Sequence, residues 1–146
     1  MSKPTSNPQP GAHSSPVTLE SLGGEEGILR WVTRFYDKVA LHPLLSPMFH
    51  DLETSRKKQH AYFVEIFGGT DAYTQQYGKP FLRFKHRHFK IGEPESVAWM
   101  QLAMESLREE IGEGPIADEI ERRLGDLAVK MINHRPEGVD SHYFNK

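Results

Sequence analysis

The chain carries eight histidines and no cysteine. Imidazole is the side chain that most often ligates a metal, and it gains and loses its proton near neutral pH. His13, His42, His50, His60, His134 and His142 read as ordinary surface residues: two lie near the chain ends, one precedes a proline, one follows Phe49, one sits off the apolar stripe of its helix, and one follows the last helix. No H-E-x-x-H pair occurs, which argues against a protease-like zinc site. His86 and His88 stand apart because they lie in KPFLRFKHRHFK, residues 79–90. Lys79, Arg83, Lys85, Arg87 and Lys90 give this run its charge, no acid interrupts it, and Phe81, Leu82, Phe84 and Phe89 are interleaved. Three chemistries fit such a run. It can be a solvated basic loop. It can hold phosphates or a single nucleic-acid strand between cations and rings. It can hold haem, with imidazole for the iron, rings for the porphyrin and cations for the propionates.

Polar side chains on apolar helix faces form the second set. A helix expected over 54–67 places 55, 59, 62, 63 and 66 on its inward stripe. Tyr62, Phe63 and Ile66 suit a core, but Ser55 and Gln59 take the first two positions, four apart and so on one face. An amide left unpaired there costs about 1–3 kcal/mol. Tyr36 belongs to the inward stripe of its own helix, and a buried tyrosine needs a partner for its hydroxyl. Trp99 flanks a third stripe and brings one N–H donor and no acceptor. Singly, each has an ordinary explanation: wet residues at a helix start, a core tyrosine bonded to a carbonyl, a core tryptophan. Together they place hydrogen-bond donors from three helices around an apolar interior, which suits a small ligand that gains negative charge.

Helices must position these groups, and the apolar spacing supplies them. A short turn over 18–22 runs into Gly23 and Gly24. The segment 25–40 opens on two acids, which favour a helix N-terminus, and steps through Ile28, Val32, Phe35, Tyr36 and Val39. His42 and Pro43 end it. A short piece over 44–49 follows. Asp51 or Thr54 can cap the next helix, which Gly68 and Gly69 stop. Residues 70–92 lack a clean period and read as loop with one or two short turns. Pro94 suits a first helical position ahead of Val97, Met100, Met104, Leu107 and Ile111. Gly112 and Gly114 break that helix. Pro115 starts a last one, with Ile116, Ile120, Leu124, Leu127 and Met131 on one face, ending at Arg135 and Pro136. The expected class is all-α, with four substantial helices and one long irregular segment between the second and third. Such a segment in a compact domain is often functional.

Composition narrows the functions. At 146 residues the chain is one domain over 18–135, between an N-terminal tail at 1–17 too poor in large apolar side chains to order itself and a C-terminal tail at 136–146. A formal charge of −2 asks for neither nucleic acid nor an anionic membrane. The lack of cysteine removes iron–sulfur clusters, thiolate zinc and C-x-x-C-H haem attachment together. No apolar run nears the roughly 20 residues that span a bilayer, and no apolar leader opens the chain. The expectation is a cytoplasmic protein.

From residue 22 to about 132 the sequence resembles the truncated haemoglobins, and within them the second group. The resemblance rests on an ordered set: Gly23 and Gly24; Arg34, Phe35 and Tyr36; Phe49; Phe67, Gly68 and Gly69; Tyr73; Gly78, Pro80, Leu82, Arg83 and His86; Phe89 and Ile91; Ala98 and Trp99. It implies a two-over-two helical sandwich around haem b. Position by position it makes His86 the proximal iron ligand, Tyr36 the helix-B tyrosine that bonds the bound ligand, Phe49 an aromatic packed on haem, and Trp99 the tryptophan that marks the group. Ser55 and Gln59 fall on the two distal positions facing the ligand. Phe63, Phe89, Arg83 and Lys85 are expected around the cofactor, the two cations as propionate partners. The sequence departs from the family at His88, which replaces a proline and stands as an alternative ligand, and at Lys79, where relatives often carry histidine.

The resemblance implies reversible binding of O2, CO and NO, with slow O2 release through the Tyr36, Gln59 and Trp99 donors. The alternative is a haem redox enzyme, an NO dioxygenase or a peroxidase-like one. It would need an external reductase, since the chain has no flavin or nicotinamide motif. A haem-free helical interaction module is the third reading. Oligomeric state is left as monomer or homodimer.

Overall fold

The computed structural model describes residues 17–134. They form six α-helices: α1 (Gly24–Val39), α2 (Leu52–Gly68), α3 (Ala72–Tyr77), α4 (Leu82–Lys85), α5 (Glu93–Ile111) and α6 (Pro115–Met131), with 3₁₀ turns at Glu20–Leu22 and Ser46–Met48. No strand occurs among the described residues. The tails expected at 1–17 and 136–146 lie outside them apart from Val17, as do His13 and His142.

α1 is the central element. It packs against α2 on one side and α5 on the other, while α5 packs on α6, so two helix pairs share α1 and α5 as their crossing. The expected stripe Ile28, Val32, Phe35, Tyr36 and Val39 is buried throughout. Trp31, which the spacing did not single out, joins it: the ring stacks on Phe63 of α2 at 4.5 Å, and its N–H donates to the Ala103 carbonyl of α5 at 2.9 Å. A single indole thus ties three helices together. Gly27 lets α1 start tight beneath the preceding turn, because a Cβ there would sit 2.0 Å from the Leu22 carbonyl oxygen. Outside the core, Arg30 meets Glu110 at 3.0 Å and Lys38 meets Glu109 at 3.0 Å, fixing the register of α1 on α5 with little net energy each.

α2 starts earlier than Thr54. Asp51 is its cap, with Oδ1 accepting from the Thr54 N–H at 3.1 Å, and Gly69 closes it in the left-handed region at φ 72°. Its deepest face also differs from the expected one. Ala61, Phe63, Val64 and Phe67 are buried, while Ser55, Gln59, Tyr62 and Ile66 are half-buried along its edge. The reason is packing direction: α2 turns Phe63 and Phe67 into Trp31. Its edge is left to face Tyr36 of α1 and Tyr73 of α3, through Gln59 and Tyr62.

Residues 70–92 contain the two short helices α3 and α4, of six and four residues. α5 begins as its capping pattern requires, with the Glu95 carboxylate accepting from the Gly92 N–H at 2.9 Å. α6 ends at Met131, four residues before Arg135, because the N–H groups of Asn133 and His134 leave the helix to meet the Ile91 carbonyl at 2.8 and 3.0 Å.

Since Trp31 is 1% exposed, Trp31→Ala is expected to lower the unfolding free energy by about 3–5 kcal/mol, read by urea denaturation. A loss below about 1 kcal/mol, the range of a surface ion pair, would remove it from the centre of the core.

Candidate functional site

α1 and α2 converge on Tyr36. Its side chain is 6% exposed, and its hydroxyl donates to Gln59 Oε1 at 3.4 Å. Burial pushes that hydroxyl well above the ordinary phenol range, so it keeps its proton and remains a donor. The bond is long, and therefore easily exchanged for a better acceptor. With its Oε1 turned to Tyr36, Gln59 has its N–H groups left to donate elsewhere. Phe49 meets the Tyr36 ring edge-on at 5.5 Å, Phe35 does so at 4.8 Å, and Phe35 in turn meets Trp99 of α5 at 5.5 Å. Trp99 is half-buried, and its indole N–H has no hydrogen-bond partner among the described residues. Ser55 lies one turn ahead of Gln59 on the same edge of α2, also half-buried. The structure therefore gathers Tyr36, Gln59, Phe49 and Trp99 into one aromatic and polar cluster.

Phe63 stands differently. It is 2% exposed, and its ring is taken up by Trp31, Phe67 and Tyr62, so it packs the α1–α2 core.

His86 sits at the C-terminus of α4 and is half-buried. Its Nδ1 lies 2.7 Å from the Leu82 carbonyl oxygen. A carbonyl only accepts, so Nδ1 carries the proton, and in the neutral ring Nε2 keeps its lone pair. Burial pulls the imidazole pKa down, against a smaller opposing pull from the Leu82 bond, and so favours that neutral form. Phe89 packs beside it at 5.8 Å. His88 is exposed and lines an open cleft of about 560 Å3 with Arg83, Arg87, Lys90 and His134, on which His86 does not border. The two histidines of the basic run thus differ: one is anchored and half-buried, the other faces water.

The expected cations part company as well. Lys85 reaches back to α3, donating to the Tyr73 hydroxyl at 3.2 Å and to the Lys79 carbonyl at 3.0 Å. Arg83 is exposed at the open cleft. His60 does not simply face water: its Nε2 donates to the Glu25 carbonyl at 2.9 Å, joining α2 to the start of α1. A residue that the sequence reading missed is Asn133, whose amide bonds the backbone of Phe89 and Ile91 beside His86. An asparagine just past a helix end carries no signal of partners 42 residues away.

These residues fit haem. Among the described residues, no group of three His, Asp or Glu side chains could hold a bare metal ion. A single imidazole with a free Nε2 is the donor set of a metal whose other ligands come from a macrocycle.

The comparisons agree. The model of the bacterial-like globin family matches residues 18–133. The group 2 truncated hemoglobin YjbI of Bacillus subtilis is 37% identical over 112 residues, 75% of this chain and 84% of that protein. The crystal structure of the group II truncated hemoglobin from Bacillus anthracis superposes with a TM-score of 0.77 at 33% identity, covering 81% of this chain and 97% of that one. The hemoglobin from the thermophilic phototroph Chloroflexus aurantiacus gives 0.76 at 32% identity, over 82% of this chain and all (100%) of that one. The truncated oxygen-avid haemoglobin from Bacillus subtilis gives 0.75 at 34%, over 82% and 100%. Helix pairs, site and likeness converge: this chain belongs to the bacterial-like globin family and, within it, to the group II truncated haemoglobins.

Proposed function

We propose that this globin holds haem b through His86 Nε2 and uses Tyr36, Gln59 and Trp99 to retain O2, with CO and NO as competing ligands. Haem-based gas binding is the property of the family; the retention is this chain's own reading. Haem, when bound, would supply an iron able to bind a diatomic ligand. The protein supplies the rest. His86 offers a neutral imidazole held in one tautomer by the Leu82 carbonyl. Tyr36 offers a buried O–H whose present acceptor, Gln59 Oε1, lies 3.4 Å away and yields readily to a charged one. Gln59 and Trp99 add N–H donors.

The bond between buried Tyr36 and half-buried Gln59 is the observation that carries this reading. A hydrogen bond to a charged group is worth about 1.5–3 kcal/mol, and about 1.4 kcal/mol is tenfold in an equilibrium. Two such donors slow release by roughly a hundredfold or more, which suits capture or storage rather than bulk delivery. The proximal side points the same way. A carboxylate on Nδ1 would strengthen the imidazole as a ligand, whereas the acceptor on His86 is a neutral carbonyl, and this favours binding over peroxide chemistry.

His86→Ala is expected to abolish the Soret band of the reconstituted protein, while His88→Ala keeps it; the reverse pattern reassigns the ligand. Gln59→Leu is expected to speed O2 release roughly tenfold in stopped-flow displacement by CO, the loss of one donor. An unchanged rate would mean that Gln59 donates nothing to the ligand. Because burial raises the Tyr36 pKa, the hydroxyl stays protonated through the usual phenol value of about 10. O2 release should therefore stay flat from pH 7 to 10, and a rise centred near pH 10 would contradict a buried donor.

A further inference from the structure

The segment that carries His86 is poorly equipped to hold itself. α4 has four residues, too few to be stable alone, and Phe81 ahead of it sits in the left-handed region at φ 40°. After α4 the chain runs through residues 86–92 with hardly a helical turn before α5 begins. Local turns engage the N–H groups of His86, Arg87 and Phe89, and one side chain from beyond α6 engages three further backbone groups of the segment. Asn133 Oδ1 accepts from the Ile91 N–H at 2.8 Å; its Nδ2 donates to the Phe89 carbonyl at 2.8 Å and, more weakly, to the His86 carbonyl at 3.4 Å. The backbone completes the joint, since the N–H groups of Asn133 and His134 both reach the Ile91 carbonyl, at 2.8 and 3.0 Å. Ile91 is itself buried, so the joint is fixed at its far end.

We infer that Asn133 is a positioning residue for His86: its carboxamide clamps the 86–91 backbone to the end of α6 and so sets the depth and direction of the imidazole. This rests on the reading of His86 as the iron ligand. The bond geometry calls for an amide in particular. Position 133 must accept from one N–H and donate to two carbonyls, and of the short side chains only asparagine does both. Aspartate keeps the acceptor and loses both donors, setting a carboxylate against two carbonyl oxygens. Alanine loses all three bonds. The clamp also accounts for the early end of α6, where the Asn133 and His134 N–H groups leave the helix to make it.

The test compares haem-loaded parent, Asn133→Ala and Asn133→Asp with Ser96→Ala, which removes a different bond to α6, from Ser96 Oγ to the Ala128 carbonyl at 3.4 Å. Two quantities are read: the rate of haem transfer to an excess of an apoglobin acceptor, and the iron–histidine stretching band in the resonance Raman spectrum of the reduced, ligand-free protein. Both Asn133 variants should lose haem at least tenfold faster than the parent and show a shifted or broadened band, while Ser96→Ala leaves the band in place. Unchanged loss and an unmoved band in Asn133→Ala overturn the inference. So does faster loss with an unmoved band, which would mark a general loosening of the fold. If the alanine variant does not fold, the aspartate variant decides alone by the same criteria. Failure of the parent to take up haem would sink the His86 reading itself, a separate and visible outcome.

Discussion

The hydrogen bond from His86 Nδ1–H to the Leu82 carbonyl, 2.7 Å long, is the constraint on which the site depends. It fixes the tautomer, and with it which nitrogen has a lone pair to give. It also fixes the ring's orientation, because donor and acceptor lie one helical turn apart on α4. Burial lowers the imidazole's tendency to take a second proton, so the free nitrogen stays free near neutral pH. Without this bond neither the tautomer nor the ring orientation of His86 is fixed.

The other half of the site follows from how α2 is rolled against α1. By turning Phe63 and Phe67 onto Trp31, α2 builds the core with one face and leaves a half-buried edge of Ser55, Gln59, Tyr62 and Ile66. A polar residue on that edge can be inside the molecule without being in the core. Tyr36 carries the one hydroxyl of the α1 stripe, and that hydroxyl finds the edge rather than a backbone carbonyl. Aromatic contacts through Phe35 and Phe49 then bring Trp99 and the chain after α1 to the same place. Core packing and the proposed ligand contacts thus use neighbouring faces of the same helices.

The sequence makes the large helices legible because their apolar residues recur at three and four over several turns, which only a helix converts into one face. The α1 stripe is buried as read, Tyr36 bonds Gln59, and Trp99 meets Phe35 beside that pair. Three things were not legible, each for a physical reason. Trp31 widens the α1 stripe, since a core-facing arc exceeds the narrow spacing used to find it. The roll of α2 depends on which aromatic partners meet it, and no property of α2 alone contains that. The two short helices of 70–92 are tied in by bonds that periodicity does not sense, Thr74 of α3 to Glu65 of α2 and Lys85 of α4 to Tyr73 of α3. The anchoring that distinguishes His86 from His88 is a local bond to the Leu82 carbonyl, but it needs the short turn of α4, which no apolar period announces.

Proton NMR of the reduced, haem-loaded protein with 15N-labelled histidine addresses the central claim most directly. An imidazole that ligates paramagnetic iron through Nε2 while Nδ1 keeps its proton shows a single exchangeable N–H resonance shifted far outside the diamagnetic range. The account predicts one such resonance, present in His88→Ala and slow to exchange because the Leu82 carbonyl holds the proton. Its disappearance in His88→Ala, or its absence from the parent with haem bound, would contradict the account.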